Sequence, residues 1–403
     1  MTVLSNRTLE KRIISMSELA TEFVVGISRS TIIEPEKHGL MPDLGEIGNF
    51  SPSDARSFSD HSLFELLSYG DIVIDPRLDE DQIQPATVEL RVGKRFWEFD
   101  AAINSASLLD KAGCVTGRLE EGEKLVCKPG HFYVFQTLER LKLPPFIEGI
   151  SDAKSSIGRL GTLVHGFSED YTRLTHNYFN ELKPVLFSVE PLAFPIEVVG
   201  GESRLFQILF RDFGSSFLNA SELQKFYGEE ISLFSGDKLV DFDKVLLDGG
   251  LKLTLDTKVA YESCNGHTPI NPMKKAEYDP RKHFSKLNMT DGILVIKPNT
   301  LYLVSSRERI KLGNQLVGRL SREVPYAGYG LMTHLAGIIN PGNDGLITME
   351  LFSTKRMYLS HGQPIGHLFV DKLSTEATPY SGIYQNQEAP QLPKQFSKWE
   401  EDH

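Results

Sequence analysis

Residues 154–161 read KSSIGRLG and place Lys154, Ser155, Ser156 and Arg159 within six residues. Hydroxyls, backbone N–H groups and fixed cations are the donors that hold an anion with several oxygens, such as a chain of phosphates. The same composition also describes a surface turn with a solvated Lys and Arg. A second candidate is HLAGIINPGNDGLITMELFS at 334–353. It reads as a strand, a tight turn around Pro341, Gly342, Asn343, Asp344 and Gly345, and a strand that carries Glu350. A hairpin of this kind offers backbone N–H and C=O groups at fixed spacing, which can read the edge of a flat base. Glu350 sits between Met349 and Leu351. A carboxylate beside apolar neighbours has a raised proton affinity, which suits acid–base work; the plainer alternative is an outward-facing strand residue. For His334 and His165 the plainer alternative is a hydrogen-bonded structural histidine.

The two candidates belong to different copies of a repeat. KPGHFYVFQTLERLKL at 128–143 matches KPNTLYLVSSRERIKL at 297–312, an offset of 169 residues. The same offset carries Gly149 onto Gly318, Gly161 onto Gly330 and His165 onto His334. Ten of the 38 positions from 128 to 165 are identical, where unrelated sequence of ordinary composition gives roughly two or three. In the second copy the cationic loop becomes EVPYAGYG at 323–330: Glu323 replaces Lys154, Val324 and Pro325 replace the serines, and Gly328 replaces Arg159. In the first copy the hairpin segment is longer, lacks an Asn-Pro-Gly turn, and aligns Ser188 with Glu350. Each copy keeps half of a site.

The elements that carry these groups are β-rich. Short Val/Ile/Leu/Phe segments are punctuated by 33 Gly and 21 Pro, which favours an all-β chain. The spacing predicts an N-terminal extension and linker over 1–56, a first barrel over 57–225, a second over 226–376 and a C-terminal tail over 377–403. Within the extension, Leu9, Ile13, Met16, Ala20 and Phe23 recur at helical spacing and predict one amphipathic helix. No signal-type stretch and no run of about 18 apolar residues is present. Three cysteines, Cys114, Cys127 and Cys264, are too few for a disulfide scaffold and point to a reducing cytoplasm. A net charge of −11 argues against a nucleic-acid polymer as partner but permits a small anionic ligand.

With these residues in place, the chain resembles the dCTP deaminase and dUTPase superfamily, in its duplicated deaminase form. IQPATVELRVGKRF at 83–96 looks like the family's opening strand signature, KSSIGRLG like its phosphate-binding motif, and AGIINPGNDGLITMEL at 336–351 like its nucleoside hairpin and catalytic strand. YSGIYQNQ at 380–387 looks like the segment that folds over the triphosphate. The resemblance implies two tandem distorted β-barrels of jelly-roll-like, dUTPase-type β-clip form. It implies a dCTP deaminase yielding dUTP and ammonia for pyrimidine deoxynucleotide supply, with a dUTPase or bifunctional enzyme and a non-catalytic nucleotide-binding regulator as alternatives. By the same resemblance Glu350 is general base and proton shuttle, and Ser155 and Arg159 help position the reacting centre. Substrate contacts fall to Lys154, Ser155, Ser156, Arg159, His334, Asn340, Thr348, Tyr380, Tyr384, Gln385 and Gln387, and to Ala336 through a backbone carbonyl near the amino group. Mg2+ is implied through the triphosphate, and a homo-oligomer, with a trimer as one form, follows from the barrels' threefold assemblies. Two departures stand out. Lys154 replaces the family's usual Arg, keeping the charge without the bidentate fork. Asn340 replaces the Asp that dUTPases keep as catalytic carboxylate, which argues against diphosphate hydrolysis. Zinc is not expected: no His is followed two residues later by Glu, and no two cysteines are closer than 13 positions.

Overall fold

Two long strands show why the repeat folds as it does. Strand β4 (Phe132–Lys142) buries Tyr133, Phe135 and Leu141 almost completely, and its counterpart β11 (Thr300–Leu312) buries Tyr302, Val304 and Ile310, the same positions moved by 169. In each, side chains alternate between the two faces of a sheet, so every second position enters a core. The computed structural model describes residues 57–399 apart from 104–105, 110–113, 168–172, 175–177, 180, 214–216, 265–267 and 323–327. The expected N-terminal helix and linker, and Glu323, Val324 and Pro325, lie outside the described residues.

The first copy opens with helix α1 (Asp60–Tyr69), capped by Ser59 and ended by Gly70 in a left-handed conformation. One of its sheets runs β3 (Val115–Arg118), β2 (Val92–Phe99), β4, β7 (Lys183–Pro191), β6 (Thr162–Gly166). The other sets β8 (Phe206–Asp212) between β1 (Val88–Leu90) and β5 (Ile147–Ala153). A one-turn helix, α2 (Ser155–Gly158), joins β5 to β6.

The second copy repeats these pairings. After α3 (Ala220–Phe226) and β9 (Ile231–Ser235), β10 (Gly250–Ser263) pairs with β11, as β2 does with β4. Strand β12 (Leu316–Arg322) pairs with β16 (Pro364–Lys372), as β5 does with β8. Strand β15 (Asp344–Ser353) pairs with β11 and with β13 (Leu331–Met332), as β7 does with β4 and β6. The short strand β14 (Ile338–Ile339) adds to β12. The fold is all-β.

Register identifies equivalent positions. Ser188 on β7 lies opposite Val134, and Glu350 on β15 lies opposite Leu303, which is Val134 moved by the repeat offset of 169. Each copy has a core, but the first core is not built from the first copy alone. The cluster built on Tyr133, Phe135 and Phe187 also takes in Leu301, Leu303, Leu335 and Phe396, and the described residues belong to one compact unit. The C-terminal segment reads as an extended tail without a core of its own. It is pinned at its end, where buried Phe396 meets Phe284 and His283 at centroid distances of 5.4 and 5.1 Å. A single aromatic gives no apolar run, so this anchor is not visible in the sequence pattern.

Candidate active site

Strand β15 positions the carboxylate by its alternation. Ile347, Met349 and Leu351 enter the second core, so Thr348 and Glu350 face the other way. In an isolated barrel that face would meet solvent. Here the first copy covers it, and Glu350 is only 2% exposed. The outward-facing reading and the buried-acid reading are therefore both correct, because the outside of one barrel is the inside of the pair.

The covering element is α2 and the residue after it. Gly158 permits the approach: a Cβ there would stand 2.9 Å from the Ala336 Cβ and 3.1 Å from its nitrogen. This brings Ser155 and Arg159 of the first copy into one pocket with Ala336, Asn340, Thr348 and Glu350 of the second, closed by Tyr380, Tyr384 and Gln387 of the tail. The cavity is about 60 Å³, room for a handful of water molecules and not for a nucleotide.

Burial pushes Glu350 up from 4.5 to about 7. Arg159 and the Leu335 N–H, which donates to Glu350 Oε2 at 3.1 Å, pull the other way. A carboxyl shifted in this way gains and loses its proton near neutrality, which suits acid–base work. Arg159 is 4% exposed; its guanidinium lies 3.7 Å from the centre of the Tyr384 ring and donates to the Gln391 carbonyl at 3.2 Å. Burial raises Tyr384 to about 12, keeping the ring neutral against that cation. Three buried polar atoms on the wall, Arg159 Nε, Asn340 Oδ1 and Asn343 Nδ2, have no hydrogen-bond partner among the described residues. Buried polar groups in folded proteins are normally satisfied, so such atoms mark where ordered water or a polar ligand belongs.

The tail is tied along the hairpin. Thr348 Oγ1 donates to Gln387 Oε1 at 3.3 Å, and Gln387 Nε2 donates to the Leu346 carbonyl. Gly345, at φ 147°, leaves room for this: a Cβ would stand 2.8 Å from the Gln387 nitrogen.

Four of the residues implicated by sequence are not on the pocket wall. Lys154 is paired with Glu89 at 2.6 Å. Ser156 is buried in α2. Gln385 holds the turn backbone, accepting from Asp344 N at 2.9 Å and donating to the Gly342 carbonyl at 2.7 Å. His334 is half-buried next to Gly337. Sequence reasoning missed Asn343 on the wall and Lys394 behind it. Asn343 lies in the quoted turn, where its type was the available signal. Burial and the nearby Lys154 push Lys394 down to about 8, and its backbone N–H donates to the Tyr384 hydroxyl at 3.0 Å. Lys154, Arg204 and Lys394 thus gather around Glu89 beside the pocket.

The dCTP deaminase-like family model matches residues 57–213 and 232–373. The chain belongs to the dCTP deaminase-like family. A "dCTP deaminase" from Halorubrum lacusprofundi is 37% identical over 113 residues, 27% of this chain and 56% of that protein. A "dCTP deaminase, dUMP-forming" from Coprothermobacter proteolyticus is 38% identical over 112 residues, 27% of this chain and 59% of that protein. The chain thus spans less than two thirds of the length of these curated relatives. The solved structure of a 2'-deoxycytidine 5'-triphosphate deaminase from Agrobacterium tumefaciens superposes with a TM-score of 0.69 at 23% identity, covering 81% of this chain and 99% of that one. The fold is shared along nearly all of that enzyme.

Proposed function

We propose that the protein deaminates dCTP hydrolytically to dUTP and ammonia. The observation that carries this reading is Glu350, buried and poised near neutrality, in one pocket with Arg159 of the other copy. Glu350 takes a proton from water, whose oxygen attacks C4 of cytosine. The proton passes to ring N3; the proton of the resulting C4 hydroxyl is then carried to the amino nitrogen, so that ammonia leaves and the 4-carbonyl of uracil forms. Arg159 and Ser155 hold the α2 side of the substrate, and Asn340 offers its free carbonyl oxygen to a sugar hydroxyl. The cations beside the pocket suit the phosphates; Lys394, lowered first by burial and then by nearby Lys154, would gain from a polyanion there.

Among the described residues no three His, Cys, Asp or Glu side chains gather to hold a metal ion. Apart from Glu350, the wall offers hydroxyl, amide and guanidinium groups, which suit phosphate oxygens rather than a bare cation. Mg2+ would therefore ride on the triphosphate and supply charge neutralisation there. A nucleotide is larger than the cavity of about 60 Å³, so binding is expected to move Tyr384 and Gln387 aside. Both half-sites lie in one chain, so a homo-oligomer is not needed to build this pocket.

The test is purified protein with Mg2+ and each cytosine nucleotide in turn, followed by ammonia release and product separation. Ammonia with dUTP from dCTP is the expected result; tight dCTP binding without ammonia would make the protein a nucleotide sensor instead. A second reading, release of dUMP and pyrophosphate, is favoured by the name of the Coprothermobacter relative. Asn340 speaks against it, because an amide cannot act as the base for phosphate hydrolysis. Pyrophosphate from dCTP or dUTP would decide for it.

A further inference from the structure

The peptide that joins Ala336 to Gly337 is held by a side chain of the other copy. Its N–H, on Gly337, donates to Asp152 Oδ2 at 2.8 Å. The second carboxylate oxygen of Asp152 accepts the Ala153 N–H at 2.8 Å, which ties the side chain to the end of β5. A trans peptide is planar, with its C=O and N–H pointing opposite ways. The Ala336 carbonyl therefore points away from Asp152, and Ala336 lines the pocket. On the other side, the Leu335 N–H is held by Glu350. Two carboxylates, one from each copy, thus bracket Ala336 and fix how its backbone meets the cavity.

We propose that Asp152 is a positioning residue that sets the Ala336–Gly337 peptide so that its carbonyl accepts from the 4-amino group of cytosine and repels the 4-carbonyl of uracil. This rests on the dCTP reading above. A hydrogen bond to an ionised acceptor is stronger than one between neutral groups, and it polarises the same peptide, sharpening the carbonyl as an acceptor. Half-buried Arg319 on β12 lies within electrostatic range and supports the charge of Asp152. An amide supplies only one of the two acceptor oxygens, and without the charge. If the Asn oxygen stays on Ala153, its NH2 meets the Gly337 N–H donor to donor, and the peptide is free to turn its N–H towards the base. The sequence carries a matching signal: the repeat offset places Ser321 at the position of Asp152, so the acid stands only in the copy whose loop faces the hairpin.

The test compares Asp152→Asn and Asp152→Ser with the parent, by ammonia-release kinetics on dCTP and inhibition by α,β-imido-dUTP, which resists hydrolysis. A parent that releases no ammonia sinks the dCTP reading and this inference with it. Given an active parent, we expect KM for dCTP to rise about tenfold, the scale of one charge-assisted hydrogen bond. The inhibition constant of the uracil analogue should hold or fall. Equal weakening of both ligands, which a merely structural role would give, overturns the proposal, as does an unchanged KM. If both variants fail to fold, a crystal structure of the unmodified protein with α,β-imido-dCTP decides. The Ala336 oxygen within about 3 Å of the base amino nitrogen supports the proposal, and a carbonyl turned from the base overturns it.

Discussion

Strands β7 and β15 occupy the same place in their barrels, yet one presents Ser188 and the other Glu350. Both positions are buried, at 6% and 2% exposure. The loops after β5 and β12 differ in the opposite sense: Lys154, Ser155, Ser156 and Arg159 stand in the first, and Glu323, Val324, Pro325 and Gly328 in the second. The pair teaches that one pocket can take its carboxylate from one copy and its cationic loop from the other, so on the proposed reading each copy can lack the half that the other supplies.

The largest break in this comparison comes from Glu350→Gln. Ammonia release from dCTP should fall by roughly 10²–10⁴, the usual worth of a general base. Adding Ser188→Glu to that variant should restore nothing, because Arg159 lies on the Glu350 side; any recovery would show the two strands to be interchangeable. Arg159→Ala should cost about 10² in kcat/KM, the scale of one lost electrostatic donor. It should also move the acid limb of the pH profile, expected near 7 in the parent, to higher pH. The sign follows from the charges: Arg159 favours the ionised carboxylate, so its loss lets Glu350 hold its proton longer. A limb that stays in place would remove Glu350 from the rate-limiting ionisation.

Gly158→Ala sharpens the geometry alone. The added Cβ would press on Ala336 at 2.9 Å and separate the half-sites, at a cost of about 1–3 kcal/mol in stability. Its KM for dCTP should rise about tenfold, the equivalent of about 1.4 kcal/mol. An unaltered KM would mean that the loop does not need this closeness. The smallest effect is on stability. A carboxyl that binds its proton more tightly when folded stabilises the fold fully below its ordinary pKa, and that contribution fades as pH rises through about 7. Glu350→Gln should therefore raise Tm at pH 8 by a few degrees, from at most about 3 kcal/mol, and change it little at pH 5. Equal shifts at both pH values would contradict the burial argument.

Much of this was legible from residues close in sequence. The offset of 169, the alternation along β4 and β11, the turn at 341–345 and the KSSIGRLG loop are local patterns, and local patterns carry strand period and turn chemistry. They yielded an all-β chain, its duplication, and two half-sites of opposite character. What the sequence left open lies in contacts across long separations. Period two along β15 says that Glu350 points away from its own core, but not that α2, some 190 residues earlier in the chain, comes down on that face. The hold of Asp152 on Gly337 spans 185 residues, and the Phe396 anchor depends on aromatic partners more than 100 residues back. Such contacts are settled by which surfaces fit and exclude water once the barrels exist, so only the tertiary structure decided that the two halves meet in one chain.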